Sequence, residues 1–337
     1  MKNILVIFGG TSSEHEVSLQ SAYSIIQAID RRKYTPILVG ISKTGQWKYF
    51  HGSIKKIINN NWNDRSVCVE TVLDVSKREL IIFTTNIQRK KIDGIFPVLH
   101  GKGGEDGTIQ GMANLANIPC MGCGVISSAI GMNKMMAHTI AESIGVQVPK
   151  CIWANKIERD FRYPVFVKPL DGGSSLGISK VNSQEDLSMA INKAREYGNR
   201  VIIEEFIDGI EVGAAILKKG NQIICGEIDE VLLENGFFDF EEKYTLKTSK
   251  IIIPAQIKEK TKKQIINAAK KIFDKMECKG FARIDFFVDK NDEIYFNEIN
   301  TIPGFTIHSR FPNMLRAKGY SFDEIVNTII DEEFQNE

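Results

Sequence analysis

Arg283, Asp285, Glu298 and Asn300 stand close together in "FARIDFFVDKNDEIYFNEIN", residues 281–300. Two apolar runs, 281–288 and 293–300, flank the turn-rich "DKND", which predicts a β-hairpin. A two-residue loop at Lys290-Asn291, or a four-residue loop from Asp289 to Asp292, sets Arg283 opposite Glu298 and Asp285 opposite Phe296. Side chains two apart in a strand share a face, so all four polar residues then project together. An odd loop length or a bulge would change that register. Two readings follow: a cross-strand Arg283–Glu298 salt bridge, or a site for a hard cation, since Asp, Glu and Asn oxygens suit magnesium bridged to phosphates.

Two lysines sit where anions could meet them. Lys168 lies in the apolar run of "RYPVFVKPLDGGSSLGISKV", and a buried lysine needs a counter-charge. The adjoining "DGGSSLG", residues 171–177, is rich in backbone N–H groups suited to phosphates, though such a loop is also an ordinary hairpin turn. Lys134 lies on a predicted helix, "SSAIGMNKMMAHTIAESIG", ending at Gly145. Residues 200–207, "RVIIEEFI", read as a strand ending in Glu204-Glu205, with Glu211 just beyond. The charged segment 236–250, "GFFDFEEKYTLKTSK", is a surface loop long enough to act as a lid.

The first third alternates strand and helix as a parallel sheet with crossovers does: "NILVIFGG", a helical stretch over 16–30, "YTPILVGIS" and "KIDGIFPVLH". Two glycine-rich loops, "GGTSSEHE" (9–16) and "HGKGGEDG" (100–107), fall at strand ends, where ligands of open α/β sheets bind. Neither has the G-x-G-x-x-G spacing of a dinucleotide site.

The chain of 337 residues is long enough for two or three domains. With 43 basic and 42 acidic residues, it gives no sign of nucleic-acid or membrane partners, and small molecules are expected instead. No apolar run reaches spanning length, and the N-terminus lacks a signal peptide, so a cytoplasmic protein is expected. Six scattered cysteines do not form a disulfide scaffold, and Cys120 and Cys123 in "PCMGCG" read as small buried residues at a strand end.

Taken in order, "GGTSSEHEVSL", "HGKGGEDGTIQG", "VKPLDGGSSLG", "EEKY", "RIDFF" and "NEINTIPGF" with "HSRFP" resemble the D-alanine-D-alanine ligases of the ATP-grasp superfamily nearly end to end. The resemblance implies an α/β, three-domain ATP-grasp fold: a Rossmann-like parallel-sheet domain near 1–122, and two α+β domains near 123–207 and 208–337 that clamp ATP. It further implies a cytoplasmic homodimer that makes peptidoglycan precursors from D-alanine and a second D-amino acid.

Residue by residue, Asp285, Glu298 and Asn300 resemble the ligands of two Mg2+ (or Mn2+) ions on the ATP phosphates. Lys134, Lys168, Gly173, Ser175 and Lys243 correspond to the family's ATP-binding positions. So do Glu204, Glu205, Phe206 and Ile207 beside adenine, Glu211 on the ribose, and Phe296. Glu14, Ser174 and Tyr244 match a trio that closes the site, with Glu14 on the first D-alanine's ammonium; Arg283 and the Gly304 N–H match the oxyanion donors. His100, Ser309 and Arg310 match substrate-binding positions. Asn133 stands where aspartate is common, and Ile307 where a small polar residue is usual. A different ATP-grasp carboxylate-amine ligase need not have the Glu14, Ser174 and Tyr244 trio, and a regulator without catalysis need not keep Arg283 or the metal carboxylates. "NTIPGFTIHSRFPNM" looks most like the vancomycin-resistance type that makes D-alanyl-D-serine, with Arg310 placed to donate to the serine hydroxyl or only to pair with the substrate carboxylate or a nearby acid.

Overall fold

The computed structural model describes residues 1–155, 162–172, 176–233 and 249–335. Three sheets follow one another along the chain. The first comprises β1 (Lys2–Gly9), β2 (Tyr34–Ile41), β3 (Trp47–Phe50), β4 (Cys68–Asp74), β5 (Glu79–Ile82), β6 (Gln88–Lys91) and β7 (Gly94–Val98), in the order β6-β5-β4-β3-β2-β1-β7. The expected parallel sheet is confined to β2, β1 and β7, while β3 to β6 add antiparallel hairpins at one edge. Short turns such as Asp74–Arg78 permit antiparallel pairing, whereas a parallel return needs a long crossover.

Helix α1 (His15–Ala28) covers one face of this sheet through Leu19, Ala22, Ile25 and Ile26. After the four-residue α2 (Lys55–Ile58), helix α3 (Thr108–Leu115) covers the other through Ile109 and Ala113. The helix predicted over 127–145 is two: α4 (Val125–Met132) and α5 (Lys134–Ser143), divided at Asn133. The Asn133 side chain accepts the Met136 N–H at 3.2 Å, capping α5, and an N-cap residue adopts an extended backbone that cannot continue a helix. Lys134 is therefore the first residue of α5 rather than a mid-helix position.

The second sheet, β10-β9-β11-β8, is antiparallel: β8 (Cys151–Trp153), β9 (Val165–Pro169), β10 (Ser179–Val181) and β11 (Val201–Glu205), packed on α6 (Leu187–Arg195). The third contains β12 (Gly209–Lys219), β13 (Gln222–Cys225), β14 (Asp229–Leu233), β15 (Ser249–Ile252), β16 (Phe281–Asp289) and β17 (Ile294–Asn300), in the order β15-β14-β12-β16-β17 with β13 on β12. Helix α7 (Glu259–Lys275) packs on this sheet through Ile265, Ala269, Ile272 and Phe273. The chain then runs through α8 (Arg310–Ala317) into α9 (Phe322–Gln335), which returns to the first sheet. Ile325, Ile329 and Ile330 share one core with Ile4, Val6 and Ile26.

The predicted β16–β17 hairpin forms, with a different register. The loop has three residues, 290–292, closed by the Asp289 N–H to Glu293 C=O bond at 3.0 Å, with Asp292 at φ 63°. That odd loop pairs Phe286 with Phe296, and a bulge at Asn297 then pairs Asp285 with Glu298 and Arg283 with Asn300. The two one-residue displacements together preserve parity, so the four polar residues still share a face. Phe296 moves to the other side, into the core against Phe286.

Candidate active site

Parallel β1 and β7 bring the two glycine-rich loops together at their carboxyl ends, where Ser12 Oγ donates to the His100 carbonyl at 2.7 Å. The Gly101 backbone, at φ 70°, passes so close to Glu14 that an added Cβ would lie 2.6 Å from its Oε2. His100 is buried between three elements. Its Nδ1 faces the Ile302 carbonyl at 2.8 Å, which can only accept, so Nδ1 carries the proton and Nε2 accepts from Ser21 Oγ at 2.9 Å. Burial lowers the imidazole pKa against the opposing pull of Glu14, which keeps the ring neutral.

Glu105, which the sequence reading did not select, completes this junction. Its Oε2 accepts the Gly101 N–H at 2.9 Å and its Oε1 the Ile302 N–H at 2.8 Å. Burial, then the Glu14 carboxylate, pushes it up to about 8. Ser21 was also missed; its Oγ accepts the Phe305 N–H at 3.2 Å. The 301–305 loop carrying Gly304 is thus anchored from the first sheet's helix and loops.

On the third sheet Arg283 pairs with Asp285 rather than with Glu298. Its Nε and Nη2 donate to the carboxylate at 2.8 and 2.7 Å, while Nη1 makes no hydrogen bond among the described residues. Asn300 Nδ2 donates to the same carboxylate at 2.9 Å. Arg310 lies alongside: Nε and Nη2 grip Asp229 at 2.7 and 2.9 Å, and Nη1 donates to Glu211 at 2.8 Å. Burial alone would lower the pKa of Arg310, but Asp229, Asp285 and Glu211 together raise it. Both Asp229 and the room Gly213 provides were missed, because they become visible only once β14, β12 and β16 are aligned: Gly213 pairs with Asp229 on one side and Asp285 on the other. A Cβ there would lie 2.7 Å from Arg310 Nη2.

A cavity of about 520 Å³ gathers Glu14, His100, Glu105, Arg283, Asn300, Gly304, Ser309 and Arg310 along its walls. Ser309 Oγ is held by the Thr306 N–H at 2.9 Å. Asn300 also borders a smaller cavity with Lys134, Gly172 and Glu298. Lys134 Nζ donates to the Gly172 carbonyl at 2.6 Å and lies 3.7 Å from Glu298 Oε2. Deeper in the second sheet, Lys168 is buried and finds its counter-charge in Glu204, one of whose oxygens has no protein partner among the described residues. Thus the Glu204 side chain faces Lys168, and β11 lies inside its sheet between β9 and β8. Glu205 Oε2 accepts the Lys150 N–H at 3.3 Å. Phe206 and Ile207 follow in the connection to β12, Phe206 with Lys180 Nζ 3.9 Å over its ring.

One expected nucleotide contact is corrected: Phe296 has no accessible surface, so it supports the site from beneath and cannot touch a ligand in this conformation. Gly173, Ser174, Ser175, Lys243 and Tyr244 lie outside the described residues.

Residues 3–123 match the D-ala D-ala ligase N-terminus model and residues 126–331 the D-ala D-ala ligase C-terminus model. The chain belongs to the D-alanine-D-alanine ligase family. It is 42% identical to a D-alanine--D-alanine ligase of Acetivibrio thermocellus, over 98% of this chain and 95% of the relative. It is 41% identical to the vancomycin C-type resistance protein VanC1 of Enterococcus gallinarum, covering 98% of each. The solved VanG D-Ala:D-Ser ligase from Enterococcus faecalis superposes with a TM-score of 0.91 at 43% identity, over 98% of this chain and 99% of that one. As a member of this family the chain has the ATP-grasp fold and is an ATP-dependent ligase of small-molecule substrates. Among the described residues no helix is long and apolar enough to cross a membrane.

Proposed function

We propose that the protein joins D-alanine to a second D-amino acid, D-serine in preference to D-alanine, through a D-alanyl phosphate made from ATP. The observation that carries this is the cavity of about 520 Å³ whose walls include Arg310, fixed by Asp229 and Glu211, together with Arg283, Gly304 and Glu14.

A carboxylate oxygen of D-alanine attacks the γ-phosphorus and ADP leaves. The amine of the second amino acid then attacks the acyl carbon, the amide bond forms and phosphate departs. Lys134 and Lys168 hold phosphate oxygens, Glu14 takes the first ammonium, and Arg283 Nη1 with the Gly304 N–H meets the developing oxyanion. Loss of one such donor costs ~3 kcal/mol in other enzymes. Ser174 and Tyr244 shield the acyl phosphate from water together with Glu14.

The donor set fits a hard divalent cation. Asp285, Glu298 and Asn300 offer only oxygen ligands on one face, and the neighbouring guanidiniums of Arg283 and Arg310 are outnumbered by the Asp285, Asp229 and Glu211 carboxylates. Among the described residues no group of three His, Cys, Asp or Glu side chains is placed to hold a metal ion. Two Mg2+ or Mn2+ ions held by these residues would neutralise charge on the transferring phosphoryl group. The three domains near 1–122, 123–207 and 208–337, a cytoplasmic homodimer, peptidoglycan precursor synthesis and vancomycin resistance belong to the same proposal.

Arg310 Nε and Nη2 donate to Asp229 and Nη1 to Glu211, so the guanidinium is held in place by nearby acids. A D-serine hydroxyl would then be met by the remaining hydrogens of Nη1 and Nη2 and by the carboxylate oxygens around them. An apolar wall discriminates against an added hydroxyl by only ~100-fold, whereas a placed polar pair can prefer it. Phosphate release from ATP with D-alanine plus D-serine, compared with D-alanine alone, tests the reading, with L-alanine as the control. Wild type favours D-serine, and Arg310→Leu reverses much of that preference in kcat/KM. A wild-type preference for D-alanine would make it a housekeeping D-alanine-D-alanine ligase.

A further inference from the structure

The register that assembles Asp285, Glu298 and Asn300 depends on one extra residue. With the three-residue loop alone, Asp285 would face Asn297, and Glu298 and Asn300 would turn into the core, because a one-residue slip flips every side chain. The bulge at Asn297 returns them to the cavity face. A bulge leaves a backbone group out of the ladder, and such a group needs another partner.

That partner comes from α5. His138 Nε2 lies 2.9 Å from the Asn297 carbonyl oxygen, which can only accept, so Nε2 donates. The ring is buried edge-on to Phe296 at 5.8 Å, the residue before the bulge, and the Phe296 N–H in turn donates to the Gln147 carbonyl at 2.8 Å. Both contacts fall on the outer edge of β17, the last strand of its sheet. Lys134, one helical turn before His138 on the same face of α5, reaches to 3.7 Å from Glu298.

We propose that His138 is a positioning residue: by donating to Asn297 it holds the bulge, and with it the spacing of Glu298 and Asn300 against Asp285. One helix thereby sets both the phosphate lysine Lys134 and the register of the cation ligands. The inference rests on the cation-site reading above and assigns His138 no contact with substrate.

The test is Mn2+ binding to the full-length protein with a non-hydrolysable ATP analogue, followed by electron paramagnetic resonance, in wild type, His138→Leu, His138→Gln and Glu298→Gln. Removing partners that orient ligands typically weakens metal affinity by about 10- to 100-fold. His138→Leu should lose Mn2+ affinity on that scale and His138→Gln, whose amide can still donate, should recover most of it. Wild-type affinity in His138→Leu, or equal losses in both His138 variants, would overturn the assignment. Undiminished binding in Glu298→Gln would instead refute the cation site itself. Should His138→Leu not fold, the imidazole 15N signals of wild type decide: a proton on Nε2 with Nδ1 bare supports the bond to Asn297, and the opposite tautomer rules it out.

Discussion

At the scale of single residues, the site is built from charged groups whose environments hold them in different states. Glu105 sits beside Glu14 with two backbone N–H groups on its oxygens, and its pKa stands at about 8. Burial comes first among the causes and Glu14 second, against smaller opposing effects from the Gly101 and Ile302 N–H groups and Arg283. A carboxyl raised in the folded state keeps a proton that the unfolded chain has released, so stability falls as pH rises from the ordinary glutamate range towards 8. This contribution is fully present below that range and lost above about 8. Melting temperature measured from pH 5 to 8.5 should decline less steeply in Glu105→Gln than in wild type, whatever the variant's absolute stability. Parallel curves would show that Glu105 is already ionised at neutral pH.

At the scale of elements, strand alignment decides which of these groups meet. Gly213 lies on β12 between Asp229 of β14 and Asp285 of β16, leaving space for the Arg310 guanidinium over the backbone. An alanine Cβ there would sit 2.7 Å from Arg310 Nη2, 2.7 Å from Asp229 Oδ1 and 3.0 Å from Asp285 Oδ1. Something must shift, and the movable groups are the ones that shape the second-substrate end of the cavity. Gly213→Ala is therefore expected to keep its fold, since alanine is no worse than glycine in a strand, but to lose up to about 100-fold in kcat/KM for the second amino acid. Kinetics indistinguishable from wild type would mean that Arg310 tolerates displacement.

At the scale of the whole molecule, the last helix returns to the first sheet. In α9, Ile329 is buried in the same core as Val6 and Ile26, Tyr34 OH donates to Asp331, and the Asp30 N–H donates to Asn327 Oδ1 at 2.9 Å. The C-terminal segment thus completes the N-terminal fold, which ties the 301–305 loop to the sheet that carries Glu14 and His100. Ile329→Ala should cost ~2–5 kcal/mol in urea unfolding, with amide exchange accelerated in β1 as well as in α9. Acceleration confined to α9 would show that the first sheet holds without it.

The sequence alone determined what depends on local order. The β1 and β7 strands and their glycine loops and the buried lysine of β9 follow from short apolar runs bounded by turn residues. The shared face of Arg283, Asp285, Glu298 and Asn300 was expected from an even loop, and it survives because the three-residue loop and the bulge at Asn297 offset each other. The hairpin's exact register did not follow from local order, because a one-residue loop change and a one-residue bulge leave the same apolar pattern in the sequence. The partners of the charges were equally hidden. Lys168 found Glu204 on the neighbouring strand, Arg283 took Asp285 two residues along its own strand rather than Glu298 across the pair, and Arg310, at the start of α8, found Asp229 on β14, 81 positions away. Composition shows that a buried charge must be compensated, but only close packing in three dimensions selects the group that does it.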